Sequence, residues 1–198
     1  MKALTIPVYV LLFTTSVMGQ SLSIAIDPAA SKVLWTATKM TGDHVGAVPV
    51  KSGQLEVANG NLLLAEVTMD MTGITCTDIV NEGSNAKLIG HLKGPDFFDV
   101  TNHGTAQFKT TKVEKLEGVA SGKPNYKVMG ELTIKGTTKP TSFDCLFWMD
   151  GNEPHAAASL TFDRTQYDIK YRSGSLFPDL GDKVISDQVS ITFDISGK

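Results

Sequence analysis

The chain has 198 residues, 41% of them hydrophobic and 20% charged, with a formal net charge of −3. That length suits one substantial core and is short for two domains, and the composition argues against a disordered chain or a multi-span membrane protein. No basic excess attracts phosphates, so nucleic acid is not expected as a partner.

Residues 1–19 read as a secretory signal peptide. Lys2 gives a positive start, Leu4 to Phe13 an apolar run, and Val17-Met18-Gly19 a small-residue cleavage pattern before Gln20. The run is too short to anchor in a bilayer, so the mature chain, residues 20–198, is expected to be a single exported domain, periplasmic or secreted, without a transmembrane segment. Only two cysteines occur, Cys76 and Cys145. An oxidising compartment permits a disulfide between them, and the alternative is that each is a small buried hydrophobe on its own strand.

After a turn at Asp27-Pro28, Lys32 to Lys39 alternates Val33, Trp35 and Ala37 against Leu34, Thr36 and Thr38, the pattern of a half-buried strand with tryptophan inside. Thr41 to His44 breaks it, and a short strand from Val45 to Val50 carries Pro49 as the mark of an edge or bend. Asn59-Gly60 suits a two-residue hairpin turn. On the return strand Leu63, Ala65, Val67, Met69 and Met71 form the apolar face.

The segment from Lys87 to Val100 differs from everything around it. Asn85 is a candidate N-cap, and Leu88, Ile89 and Leu92 have helical spacing. Gly94-Pro95 stops the helix and two phenylalanines, Phe97 and Phe98, follow at once. Paired aromatics between strand patterns suggest an apolar plug at the end of a β-structure, or simply a cap on its core.

Beyond it, Ala106 and Phe108 share a face. Tyr126, Val128, Gly130, Leu132 and Ile134 then give the strongest alternation in the chain. Gly136 to Pro140 reads as a turn into Phe143, Cys145 and Phe147, and Asp150-Gly151-Asn152 as another. Ala156, Ala158, Leu160 and Phe162 repeat the period of two, as do Val189, Ile191, Phe193 and Ile195. These patterns describe an all-β, antiparallel barrel of about eight strands with one short helical insertion, because a long alternating sheet must curl and closure removes its edges.

The residues argue against the common catalytic machineries. His44, His91, His103 and His155 fall in separate turns or in the helix without metal-site spacing, so no metal is expected unless loops assemble one. No nucleophile elbow and no phosphate-binding glycine loop occur, so no catalytic residue is assigned. Arg164 either receives a polar head group or pairs with a carboxylate to fix a loop. The aromatic inventory, Trp35, Phe97, Phe98, Phe108, Phe143, Phe147, Trp148 and Phe162, offers much surface to point inward.

With these residues placed, the chain resembles the YceI family of exported, lipocalin-like proteins. The resemblance rests on Val33-Leu-Trp-Thr-Ala-Thr-Lys39 with Thr41-Gly42-Asp43-His44-Val45-Gly46, and on Lys87-Leu-Ile-Gly-His-Leu-Lys-Gly-Pro-Asp-Phe-Phe-Asp-Val100. It also rests on Phe108, on Gly130-Glu-Leu-Thr-Ile-Lys-Gly-Thr-Thr-Lys-Pro140, and on Phe162-Asp-Arg164 with Tyr167. It implies a barrel holding an isoprenoid chain, a quinone tail or polyprenyl lipid, as ligand, with no cofactor and often as a homodimer. Many members carry a histidine-serine pair before the first long strand, whereas this chain has Ala29-Ala30-Ser31-Lys32.

Mapped by alternation, the lipid-lining residues are Trp35, Ala37, Val67, Met69, Phe108, Leu132, Ile134, Phe143 and Phe162, with Leu88, Leu92, Phe97 and Phe98 near one end. A lipid-binding protein without turnover is the favoured reading. The alternative is an exported redox-responsive or enzymatic protein using Cys76, Cys145 or the loop histidines.

Overall fold

The computed structural model describes residues 21–198, so the expected signal peptide lies outside the described residues. The described residues form one antiparallel, strongly curled sheet of eleven strands with a single α-helix. The strands are β1 (Leu22–Ala25), β2 (Lys32–Lys39), β3 (Gly42–Ala47), β4 (Val50–Ala58), β5 (Asn61–Asp70), β6 (Thr75–Cys76), β7 (Thr105–Lys115), β8 (Tyr126–Ile134), β9 (Thr137–Asp150), β10 (Glu153–Asp163) and β11 (Ile185–Ser196). Helix α1 spans Glu82–Lys93.

The spatial order is β1-β4-β5-β7-β8-β9-β10-β11-β2-β3-β6. Eleven strands replace the expected eight or so; β1 and β6, four and two residues long, are too short to show a periodic signature. The terminal strands of this order do not pair with each other, and the sheet is a half-barrel instead of a continuously closed ladder. A bridge between Ile26 and Gly197 ties the chain just after β1 to the end of β11. Register shifts between β4 and β5, β7 and β8, and β11 and β2 add local twist, which helps the sheet to curl.

One of these shifts corrects the sequence reading. Leu55 pairs with Ala65, Glu56 with Leu64 and Val57 with Leu62, leaving Leu63 as the extra residue. The phase of β5 therefore reverses, and Leu62 is buried while Leu63 is exposed. The turns follow backbone chemistry closely. Asn59 and Gly60 both take positive φ, at 50° and 72°, as do Lys135 and Gly136 at 48° and 72°, and each pair closes a two-residue hairpin. The second turn is thus shorter than expected, and Thr137 to Pro140 belong to β9.

Helix α1 begins a turn earlier than its hydrophobic spacing indicates. Asn81, not Asn85, is the N-cap, its side-chain oxygen accepting from the Ser84 N–H at 2.9 Å. Asn85 instead donates to the carbonyls of Cys76 at 2.9 Å and Ile79 at 3.0 Å, docking the helix against the end of β6. Trp148 also departs from expectation. It is 38% exposed and stacks on His155 outside the sheet, because Phe147 takes the inward position next to it.

Candidate functional site

The concave face of the sheet carries the core, and the core divides along the strands. Toward one end Leu55, Val57, Leu62, Tyr126, Val128 and Phe147 pack solidly, with the Tyr126 and Phe147 rings edge to face at 5.7 Å. Toward the other end the same strands surround an open apolar cavity whose empty space is about 1160 Å³, counted out through its mouth. Its exposed lining is wholly apolar.

Strand alternation places most of this lining. Trp35 and Ala37 come from β2, Val67 and Met69 from β5, Phe108 from β7, Leu132 and Ile134 from β8, Phe143 from β9 and Phe162 from β10. Leu92 of α1 and Phe97 and Phe98 beyond its stop join them. Leu88 is the exception among the residues chosen from sequence. It packs against the core without reaching the cavity, because Leu92, one turn on, faces the sheet in its place.

The aromatic rings pack in two groups. Phe143 lies 5.3 Å from Phe108 and 5.4 Å from Phe193, and Phe162 meets Tyr167 edge to face at 5.5 Å. Gly130 is required where β8 passes Phe108, since a Cβ there would sit 2.6 Å from the Phe108 ring and 2.5 Å from the Lys109 carbonyl oxygen. Met71, on the apolar face that alternation assigned to the return strand, lines the cavity too, as do Ile74, Ile169 and Ile185, which were not legible in sequence. Most of them lie in short 3-10 turns or loops, where no period marks an inward position. Val189, Ile191 and Phe193 line it from β11, on the face that alternation assigns inward.

Arg164 is the one charged residue at the cavity wall, and its role is settled by its partners. It is 2% exposed. Its Nε donates to the Ser186 carbonyl at 2.9 Å, Nη1 to those of Ile169 and Tyr171 at 2.9 and 3.0 Å, and Nη2 to that of Ile185 at 3.0 Å and to Asp187 Oδ1 at 3.2 Å. All five guanidinium hydrogens are used, so no donor is left for a ligand head. Arg164 is a staple that ties the segment after β10 to the start of β11. Asp187 completes it: burial raises its pKa, but hydrogen bonds from Ser175 and Ser173 and the charge of Arg164 outweigh that and hold it below the usual carboxylate range.

Ser31, which keeps the serine of the histidine-serine pair where the histidine is absent, is also occupied elsewhere, accepting from the Ser196 N–H at 3.1 Å. The two cysteines are free and do not form the disulfide that their number permits. Cys145 lies on β9 in the middle of the sheet and Cys76 on β6 at its edge, each buried among its own neighbours. Burial pushes the Cys145 thiol up to about 12. His44 and Asp78 gather around Cys76, a grouping that the spacing of the histidines did not reveal.

A family model described as YceI-like domain matches residues 25–197. A UPF0312 protein of Ectopseudomonas mendocina (strain ymp) is 26% identical over 72% of this chain and 66% of its own length. A UPF0312 protein of Serratia proteamaculans (strain 568) is 29% identical over 57% of this chain and 55% of its own. The chain thus spans between about half and two thirds of the length of these relatives.

Among solved structures, Burkholderia cenocepacia BcnA superposes with a TM-score of 0.62 at 22% identity, covering 87% of this chain and 99% of that one. A polyisoprenoid binding domain from Saccharophagus degradans superposes with a TM-score of 0.60 at 16% identity, covering 88% and 97%. These likenesses establish a shared fold.

Proposed function

The chain belongs to the YceI-like domain family, and we propose that it is an exported, lipocalin-like binding protein that holds the hydrocarbon chain of one isoprenoid lipid, a quinone or polyprenyl species, without chemical turnover. The observation that carries this reading is the open cavity whose exposed lining is wholly apolar, the one charged wall residue, Arg164, spending its donors inside the protein. The Saccharophagus degradans relative of the same fold, a polyisoprenoid binding domain, supports the class of ligand.

An unbranched or methyl-branched chain gains in such a site almost only by leaving water. Burying roughly 400 Å² of hydrocarbon at about 25 cal/mol per Å² contributes on the order of 10 kcal/mol gross, before the cost of association. With every hydrogen of Arg164 already used, the polar head has no partner inside and sits at the mouth. The tail is then the recognised part, and the role is transport or storage in the periplasm, by a monomer or a homodimer.

A redox or nucleophilic role draws no support from the thiols. Burial pushes up both the Cys145 and the Cys76 thiol, which keeps each protonated near neutral pH. The test is mass spectrometry of an organic extract of protein exported and purified without detergent. One polyprenyl or quinone molecule per chain is the expected result; well-folded protein with an empty extract contradicts the proposal.

A further inference from the structure

Three metal-ligating side chains that the cavity does not use converge at the edge of the sheet. The outermost ladders pair Ala37 with His44 and Gly46 with Cys76, and Gly46 in turn pairs with Trp35. Cross-strand partners share a face, so His44 and Cys76 follow Ala37 and Trp35 onto the concave side. Asp78 lies two residues beyond Cys76. One ligand atom from each of His44, Cys76 and Asp78 lies within 4.8 Å of the others.

Hydrogen bonds hold the cluster from inside, while Asp78 faces solvent. Asp78 Oδ1 accepts from the Val45 backbone N–H at 2.9 Å and from the Cys76 thiol at 3.1 Å, while Oδ2 is 2.8 Å from His44 Nδ1. Asn85 of α1 holds the carbonyls of Cys76 and Ile79, so the helix braces the segment that carries two of the three donors. Among the described residues the only ion-pair partner of Asp78 is His44.

We propose that His44, Cys76 and Asp78 form a binding site for a single zinc-class divalent cation, beside the lipid cavity but outside its lining. Imidazole and thiolate select such ions over magnesium or calcium, which prefer all-oxygen shells. A neutral imidazole, a thiolate and a carboxylate supply two negative charges, equal to the charge of the ion. Bonds of about 2.0–2.3 Å place tetrahedral ligands about 3.4 Å apart. His44 and Cys76 reach different oxygens of Asp78, at 2.8 Å and 3.1 Å, and the three donors lie within 4.8 Å of one another, so closing onto one ion draws the widest pair together by about an ångström.

On binding, the Cys76 thiol proton passes to solvent, and the proton on Nδ1 of a neutral His44 is replaced by one on Nε2 if Nδ1 is the ligand. The fourth position stays open to water or to a donor atom from outside, as in zinc sites with three protein ligands.

The test uses the metal-free full chain, titrated with Zn²⁺ against a chromophoric chelator and with Co²⁺ by absorption. One ion per chain is expected, with a thiolate-to-cobalt charge-transfer band. Cys76→Ser and Asp78→Asn should each weaken Zn²⁺ binding by about a hundredfold or more, while Cys145→Ser matches the parent. Stoichiometric binding unchanged in Cys76→Ser, or no thiolate band in the unsubstituted protein, overturns the proposal; the cobalt spectrum decides even if a variant folds poorly. Lipid content is measured separately, so an empty cavity does not bear on this result.

Discussion

The two ends of the concave face are built from the same strands and reach opposite outcomes. β8 contributes Tyr126 and Val128 to the filled end and Leu132 and Ile134 to the hollow one; β5 divides Leu62 from Val67 and Met69 in the same way. The filled end closes because large side chains interdigitate there. At the wall of the hollow end Arg164 holds four carbonyls and Asp187 in place. One region is thus packed side chain to side chain, and the other combines a void with a hydrogen-bonded wall.

Removing the hydrogen bonds of that wall should cost most. Arg164→Leu leaves the half-buried Asp187 without its cation and four carbonyls without donors, and it should lower unfolding free energy by about 3–5 kcal/mol, read from urea titration. A loss under about 1 kcal/mol would mean that these bonds are dispensable.

One substitution made at each end sharpens the comparison further. Leu55, 1% exposed at the filled end, should cost about 3–4 kcal/mol on truncation to alanine. Leu132→Ala should cost about 1 kcal/mol less, because part of that side chain already faces empty space and forfeits contacts there. Equal losses in ligand-free protein would indicate that the hollow end is packed as tightly as the filled one.

The smallest effect concerns pH. The Cys145 thiol, raised to about 12 by burial, stays protonated in the folded chain after the unfolded chain, at about 8.5, has lost its proton. Its contribution is therefore complete below the unfolded value and is lost as pH rises toward 12. Cys145→Ala should flatten the decline in melting temperature above about pH 9 relative to the parent, measured by circular dichroism; identical slopes would remove burial of this thiol as the cause.

Much of this division was legible in the sequence because a period of two assigns faces wherever a strand runs unbroken. Trp35, Phe108, Leu132, Phe143 and Phe162 all followed from it. It failed where one residue was inserted, as at Leu63, and where the chain left the sheet, as at Ile169 and Ile74. Alternation also says which residues point inward but not how deep along the barrel they lie, so it could not separate the filled end from the hollow one. Long-range groupings were out of reach for a related reason. His44 and Asp78 stand 34 residues apart and meet only because β6 pairs with β3.

The central claim is that the hollow end exists to be filled by a ligand, and it is tested most directly by filling it with a side chain. Ala37 lines the cavity from β2, and tryptophan there should occlude the chain-binding space without unfolding the sheet. Wild type and Ala37→Trp, expressed and extracted side by side without detergent, should yield one isoprenoid per chain and almost none, respectively, at melting temperatures within a few degrees of each other. Equal lipid in a folded Ala37→Trp protein would contradict the account.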